Sequence, residues 1–303
     1  MEWNDIQGKK YPGYGRCIYC GNDGGKDGLR SEHIIPFSLQ GETEIKHANC
    51  VTCQNIINPV DTHLARAVFY EYRRHVGSPS RRPANQPQLP AVNFTIKGTE
   101  VERDLSVDRR PYSLAMPVWG LPGFYRRAQI DDPFPEVYCH MYHHLPPNMH
   151  ETLGLDQDED FMVWSKAAIN ISLFARAIAK IAYCHAVLQY GLDGFRPLIL
   201  PDIILGRSSA TPYFVGAPLD EPPPPLEKGR RHLVEFTHLD ANPAHPSNTL
   251  GELRLIIANI RLFADSGTVL HGLPIYRVIC GARSPAKISS LRPILQTSKV
   301  IAL

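Results

Sequence analysis

The sequence lacks a strong excess of charge of either sign. Its 303 residues contain 32 lysines and arginines against 30 aspartates and glutamates, which gives a formal net charge of +2. This balance neither requires nor excludes a nucleic-acid partner, so an interface of that kind would have to rest on a local cluster of basic side chains. We also find no internal repeat, and the C-terminal two-thirds contain neither a glycine-rich phosphate loop nor a nucleophile elbow.

Long apolar runs and an N-terminal signal are missing as well. No apolar run reaches the roughly 18 residues that a membrane span requires. The opening stretch MEWNDIQGKKYPGYG has no apolar h-region and no small-residue cleavage site. We therefore expect a cytoplasmic protein without a membrane partner. Hydrophobic residues make up 43% of the chain, enough for a sizeable core in one large domain or two ordinary ones.

Cysteine is present, but its odd count of seven does not fit a disulfide framework. Four of the seven form two C-x2-C pairs in the first 60 residues, Cys17 with Cys20 and Cys50 with Cys53. Each pair can place two thiolates on one knuckle turn, which suits a tetrahedral structural zinc. Ordinary buried thiols are the alternative, but two such pairs in a short glycine-rich segment favour zinc. The metal would then supply much of the segment's folding free energy.

A 29-residue insert separates the two pairs and contains the stretch SEHIIP, residues 31–36. Taken in order, CIYCG, SEHIIPFSLQG, ANC and CVTCQN resemble the HNH endonucleases. The resemblance is closest to the branch whose ββα-metal module carries two cysteine pairs around a structural zinc. It covers roughly residues 15–77 and implies metal-dependent hydrolysis of phosphodiester bonds.

The resemblance implies roles for the two polar residues of SEHIIP. His33 corresponds to the general base, and neutral imidazole can take a proton from water near pH 7. Glu32 corresponds to the acidic ligand of a divalent cation, a position more often occupied by aspartate in the family. Adjacent residues on a regular strand point to opposite faces and could not act side by side. The resemblance implies that the pair lies where the strand ends. Pro36 has no backbone N–H to donate, so we do not expect the chain after it to continue the hydrogen bonding of a β-sheet.

The other two motif positions match less closely. Asn49 is the nearest candidate for the middle asparagine, which orients the histidine or fixes the loop; the alternative is a turn residue beside the zinc knuckle. The family commonly has asparagine or histidine directly after the last cysteine, where this sequence has Gln54. We favour Asn55 as the third metal ligand, with Asp61 and Asn58 behind it, although Asp61 could equally cap a helix. His63 lies within reach too.

A basic cluster spans Leu64 to Arg82, on and just after a helix predicted from about Asp61 to Gly77. Glu71 is its only acidic residue, and its arginines are Arg66, Arg73, Arg74, Arg81 and Arg82. Their position beside the proposed site favours contacts with the phosphate backbone of a nucleic acid. A solvated helix face is the alternative.

The remaining sequence predicts an α+β fold with a small first domain and a larger second one. We assign residues 1–77 to the ββα-metal module, 78–92 to a proline-rich linker and 93–303 to an α+β domain. This domain should contain a hairpin across Lys97-Gly98 and three strands, in HLVEFTHL, LRLIIANIRLF and PIYRVICG.

One long buried helix is expected at about 165–190, ended by Gly191. Its apolar residues suit close packing in a core. The polar residues Arg176, Lys180 and His185 are expected at its edge. The histidine-rich stretch YCHMYHHLPPNMH favours polar surface over a second metal site.

Together these features predict an HNH endonuclease that cuts DNA, in the first place double-stranded DNA. It would use a structural Zn²⁺ and a separate catalytic Mg²⁺ or Mn²⁺. The C-terminal domain would bind the target, form a homodimer or regulate activity. The alternative function is a zinc-finger-like module that binds nucleic acid or protein without cutting. DNA versus RNA, nicking versus double-strand cutting and the biological setting are left open by the sequence.

Overall fold

A computed structural model describes residues 8–80, 88–164, 168–218, 232–240, 254–263 and 274–283. Within these residues helices and sheets are mixed, with a ββα region near the N-terminus and one long apolar helix. The predicted α+β class is therefore confirmed.

The N-terminal segment forms a small sheet followed by a helix. Its elements are β1 (Lys10–Tyr11), β2 (Leu29–His33), β3 (Glu44–Cys50) and α1 (Val51–His63). The strand order is β1-β3-β2, with β2 antiparallel and β1 parallel to β3. The succession β2, β3, α1 is the ββα arrangement expected from the motifs, and β2 ends at His33 as predicted.

The pairing of β2 with β3 is interrupted by a bulge. Arg30 lies opposite Asn49, whereas Glu32 lies opposite Ile45, so β3 contains the additional residues. Within this bulge His47 adopts a left-handed φ of 48°. Bulges bend a strand and re-aim its side chains, often beside active sites. Here the bulge lies between the regularly paired residues near His33 and the end of β3 that carries Cys50.

Helix α1 begins earlier than predicted, at Val51 and not near Asp61. Cys50 is the extended residue that precedes it, and Cys53 lies in its first turn. Pro59 inside the helix hides this start in the sequence, because an interior proline removes a backbone donor and usually ends a helix. After His63 the chain widens into a π-helical segment, Leu64–Val68, before a last short helix, α2 (Tyr70–His75).

The rest of the described chain contains three further sheets and four helices. The strands are β4 (Val92–Ile96), β5 (Thr99–Arg103), β6 (Tyr112–Val118), β7 (Tyr138–His144), β8 (Phe161–Trp164), β9 (Val215–Gly216), β10 (Leu233–Asp240), β11 (Arg254–Arg261) and β12 (Tyr276–Arg283). The helices are α3 (Met149–Leu153), α4 (Ile171–Tyr190), α5 (Leu200–Ile204) and α6 (Thr211–Phe214).

These strands form antiparallel sheets with the orders β5-β4-β8, β6-β7 and β10-β11-β12-β9. The predicted hairpin across Lys97-Gly98 is β4 with β5. The three predicted strand runs are β10, β11 and β12.

Helix α4 forms the centre of the molecule. It begins at Ile171, where the side chain of Asn170 accepts a hydrogen bond from the backbone N–H of Leu173, and it ends before Gly191. The predicted start near 165 falls among residues 165–167, outside the described part. By length and composition alone α4 could cross a membrane, contrary to the expectation that no run would be long and apolar enough. However, 72% of that window is buried inside the protein, as in a core helix.

Two of the three polar residues of α4 do not lie at its edge as predicted. Lys180 and His185 are buried, with exposed fractions of 0% and 2%. Arg176 is half-buried and donates hydrogen bonds to the carbonyl of Ile204. The error arises because helical spacing alone cannot separate a polar residue beside the core from one held inside it by buried acceptors.

The apolar core is continuous across the predicted linker. Side chains of the N-terminal segment, such as Ile34 and Ile57, pack in the same cluster as Ile178 of α4 and Ile256 of β11. Helix α4 contacts α1 on one side and the strands β11 and β12 on another. The domain boundary in 78–92 stays a prediction, and the segments on its two sides share a core. Of that linker, residues 81–87 lie outside the described part.

Candidate zinc site and nuclease cleft

Four cysteines meet where β3 ends and α1 begins. The Sγ atoms of Cys17, Cys20, Cys50 and Cys53 all lie within 4.8 Å of one another, and those of Cys20 and Cys50 are 3.7 Å apart. A knuckle turn orients the first pair, with the N–H of Gly21 donating to the carbonyl of Cys17 and Gly21 at a left-handed φ of 77°. Glycine adopts this conformation without steric cost.

The geometry fits a tetrahedral zinc. Zn–S bonds of about 2.3 Å imply sulfur–sulfur distances of roughly 3.8 Å, close to the separation of Cys20 and Cys50. Without a cation, two of the four cysteines disfavour the thiolate form. Burial raises the pKa of the Cys17 thiol, and burial together with the nearby Cys17 raises the pKa of Cys53. A bound Zn²⁺ would instead stabilise the thiolates, so the clustered residues have both the spacing and the chemistry of a structural zinc site.

A second polar cluster joins β2, α1 and α4. The ammonium Nζ of Lys180 lies 2.7 Å from Oε1 of Glu32 and 2.8 Å from Oδ2 of Asp61. It also donates a 3.0 Å hydrogen bond to the backbone carbonyl of His33. The other carboxylate oxygen of Glu32, Oε2, accepts a hydrogen bond from the amide Nδ2 of Asn49. Both oxygens of Glu32 are thus engaged by residues of the protein.

The two carboxylates keep Lys180 protonated. Burial alone lowers the pKa of a lysine, but Asp61 and Glu32 raise the pKa of Lys180 above its ordinary value. A buried ammonium is stable only when its charge is compensated and its donors are bonded. Here both conditions are met, so the buried Lys180 and Glu32 form an ionic triad with the half-buried Asp61.

Next to this triad opens a cleft of about 470 Å³. His33 lines it at the end of β2, with its ring 5.8 Å from that of Phe37. From α1 come Gln54, Asn58 and Asp61, which share one helix face through spacings of four and three residues. The cleft therefore brings together the predicted general base and the oxygen-bearing side chains of the helix.

The structure places the side chain of Asn49 against Glu32. The side chain is buried and lines the cleft, and its amide donates to Glu32 and not to His33. Its amide oxygen Oδ1 is buried without a hydrogen-bond partner among the described residues. Amide and carboxylate oxygens are ligands that Mg²⁺ and Mn²⁺ accept. Asn49 Oδ1 and the α1 side chains thus supply oxygen atoms of the kind that a hard divalent cation binds.

The candidates for the third metal ligand divide between two faces of α1. Asn58 and Asp61 line the cleft together with Gln54, the residue directly after the last cysteine. Asn55, which the sequence favoured, is exposed and is not among the cleft-lining residues of the described chain. Gln54 lines the cleft and Asn55 does not, because successive side chains on a helix point about 100° away from each other. His63 faces α4 instead, accepting a hydrogen bond from the N–H of Asn170.

The arginines of the basic cluster do not lie on a single exposed surface. Arg73 is buried, and its guanidinium donates to the backbone carbonyls of Ser38, Ala65 and Pro79. Arg66 is exposed on the wall of the cleft. Arg74 is half-buried and lies outside the cleft lining, whereas Arg81 and Arg82 fall outside the described residues. Arg66 and Arg73 both line the cleft, and among the described arginines of this cluster Arg66 is the exposed one that could meet a nucleic acid there.

Lys180 is the site residue that sequence reasoning missed. It lies far from the motifs along the chain, and its neighbours on the same helix face are Ala177 and Cys184, both fully buried. A lone lysine inside such an apolar stripe is a recognisable signal, because burying its charge requires a carboxylate partner from another element. The identity of that partner could not be read from the sequence.

Comparison with known proteins agrees with the motifs. Residues 17–69 match the family model described as HNH endonuclease. The match begins at the first zinc-site cysteine and runs through β2, β3 and α1 to the end of the π-helical segment. No curated protein and no solved structure matches the chain significantly. The resemblance to the HNH endonucleases is confirmed for this segment, and Lys180 lies outside it.

Removing one thiolate should release the zinc. We expect about one zinc per chain in the purified wild type and close to none in Cys50→Ser, because three ligands cannot hold a structural zinc in a site built for four. Elemental analysis after gel filtration measures this. Cys139→Ser, which changes an exposed cysteine outside the cluster, is the matched control and should retain the metal. Wild-type protein without zinc, or Cys50→Ser with a full complement, would contradict the assignment.

Arg73 should contribute to stability and Arg66 should not. Arg73→Met leaves three backbone carbonyls without their charged donor, which we expect to cost about 2–4 kcal/mol of unfolding free energy. Arg66→Met alters an exposed side chain and should change the unfolding free energy by less than about 0.5 kcal/mol. Urea unfolding of both variants measures the difference. If Arg73→Met is as stable as the wild type but binds DNA weakly, Arg73 is the phosphate contact that the sequence suggested.

Proposed function

We propose that the protein is an endonuclease that hydrolyses DNA phosphodiester bonds in the cleft, with His33 as the general base. The observation that carries the proposal is the meeting of His33, Asn58 and Asp61 in one cleft of about 470 Å³ within a segment that matches the HNH endonuclease family. This combination supplies a proton acceptor beside oxygen ligands, which hydrolysis of a phosphodiester requires.

The proposed mechanism assigns each side chain one task. The imidazole of His33 accepts a proton from the attacking water, which neutral imidazole does well near pH 7. Asp61, Asn58 and the amide oxygen of Asn49 would hold a Mg²⁺ or Mn²⁺, with Gln54 beside them. When bound, that ion supplies electrostatic stabilisation of the charge that develops on the phosphate and the leaving oxygen.

Glu32 takes a different part from the one that the family pattern implies. Its oxygens are bonded to Lys180 and Asn49, and its exposed fraction is only 4%. We propose that it acts mainly by fixing Asn49, whose amide oxygen then faces the cation. Glutamate has one methylene more than the usual aspartate, and this extra length suits a carboxylate that reaches a buried lysine.

The proposed substrate is double-stranded DNA in the cytoplasm. Arg66, exposed on the cleft, would contact the phosphate backbone and position a duplex without reading its sequence. RNA remains the alternative substrate, since a phosphate contact does not distinguish the sugars. The homodimer stays a prediction from the sequence.

A non-catalytic binding module is the second candidate function, and one observation favours it. Lys180 already compensates part of the negative charge of Glu32 and Asp61, which reduces the attraction of the site for a divalent cation. A domain that only binds nucleic acid would tolerate this arrangement. Catalysis by His33 is the property that separates the two candidates.

Plasmid nicking with purified protein tests the proposal. Wild type should convert supercoiled DNA to nicked or linear forms with Mg²⁺ or Mn²⁺ and not with EDTA. His33→Ala should lose at least about 100-fold in rate, the usual contribution of a general base. His140→Ala changes an exposed histidine on β7 and should cut like the wild type.

Other results would exclude the proposal. Equal cutting by wild type and His33→Ala would place the activity elsewhere or in a contaminant. If neither protein cuts while both bind DNA with a steep salt dependence, the binding module is the correct function.

A further inference from the structure

We propose that Lys180 of α4 is a positioning residue of the nuclease cleft, fixing the triad and weakening the affinity of the cleft for a divalent cation. Lys180 lies outside the segment 17–69 that matches the HNH endonuclease family. The inference rests on the proposed function, because the groups that Lys180 holds are those assigned to the reaction.

The contacts of Lys180 use its full bonding capacity. An ammonium has three N–H donors, and the structure supplies three acceptor groups: Glu32 Oε1 at 2.7 Å, the Asp61 carboxylate at 2.8 and 3.0 Å, and the His33 carbonyl at 3.0 Å. These acceptors come from the end of β2 and from the last turns of α1. One side chain thus ties together the two elements that carry the proposed base and the proposed cation ligands.

Burial shows that Lys180 acts through these groups and not on the substrate. Its exposed fraction is 0%, and it is not among the residues that line the cleft. A phosphate in the cleft therefore meets His33 and Asp61 and does not touch the ammonium. This separates Lys180 from a phosphate-binding lysine, which would be exposed to the cleft.

Helix α4 gives the ammonium a fixed position. Ala177 and Cys184, one turn to either side of Lys180, are fully buried, and the helix packs against β11 and β12. The lysine side chain therefore extends from a rigid core element and cannot withdraw without leaving the buried carboxylate of Glu32 and the half-buried carboxylate of Asp61 without their cation. The geometry of the cleft depends on the C-terminal part of the chain, which makes that part a component of the nuclease.

The same ammonium should oppose cation binding. A divalent ion on Asp61 would lie close to a positive charge bonded to the same carboxylate, and like charges at such distances repel strongly when they are shielded from water. Replacing Lys180 by methionine keeps most of the volume of the side chain and removes this repulsion. The variant should bind the ion more tightly but hold Glu32, Asp61 and the His33 carbonyl less precisely.

The experiment compares Lys180→Met and Lys180→Arg with Arg176→Met. Arg176 lies one turn earlier on α4 and bonds the carbonyl of Ile204, so its loss perturbs the helix without touching the triad. Two quantities are measured: the dissociation constant for Mn²⁺ without DNA, by electron paramagnetic resonance, and the nicking rate at saturating Mn²⁺. Zinc content and circular dichroism identify folded protein.

For Lys180→Met we expect Mn²⁺ binding tighter by about tenfold or more and nicking slower by at least about 30-fold. Lys180→Arg keeps the charge but has a larger, planar head group that cannot reproduce the three contacts. Its Mn²⁺ affinity should stay within about threefold of the wild type while its nicking rate falls by about tenfold or more. If Lys180→Met does not fold, the nicking rate of Lys180→Arg tests the inference in its place. Arg176→Met should change neither quantity by more than about threefold.

The outcomes separate this inference from the proposed function. Lys180 variants with wild-type Mn²⁺ affinity and nicking rate would overturn the inference and leave the endonuclease intact. If the wild type does not cut but Lys180→Met binds Mn²⁺ more tightly, the endonuclease falls and the effect of Lys180 on the cation site stands. If neither the wild type nor any variant binds Mn²⁺ or cuts DNA, both are overturned.

Discussion

The arrangement of the site depends on one lysine ammonium with no exposure to solvent. Lys180 bonds Glu32, Asp61 and the backbone of His33 at once; the two carboxylates compensate its charge and the carbonyl accepts a hydrogen bond from the ammonium. An ion pair in this environment resists small displacements, because moving any member leaves a charge unpaired. The sheet, helix α1 and helix α4 are thereby held in one relative position, and the apolar core that they share reinforces it.

Helix α1 is anchored at both ends by different chemistry. Cys50 and Cys53 join its start to the knuckle of the first cysteine pair, with the spacing that a zinc ion requires. Asp61 joins its last turns to α4 through Lys180. The face between these anchors carries Gln54 and Asn58, so the oxygen atoms of the cleft are presented by a helix that cannot rotate freely. Preorganisation of this kind is what electrostatic catalysis needs.

Much of the domain could be predicted from the sequence because its signals are local. Two C-x2-C pairs at this spacing, with SEHIIP between them, specify the cysteine cluster and the end of β2 at His33. The start of α1 was missed because Pro59 masks it, and Asn55 was favoured because sequence adjacency does not fix the direction of a side chain on a helix. Arg73 and Lys180 were misjudged for a common reason. Their partners are backbone carbonyls and carboxylates of distant segments, which charge and periodicity along one element do not reveal.

The most direct measurement of the central claim is a crystal structure of the protein with Mn²⁺ and an uncleavable phosphorothioate duplex, using the anomalous signal of the ion. The account predicts a Mn²⁺ peak in the cleft, bound to Asp61 and to the scissile phosphate, with the ring of His33 facing the phosphorus and Lys180 still bonded to Glu32. A cleft that holds neither ion nor phosphate, or DNA bound on a surface away from His33, would contradict it.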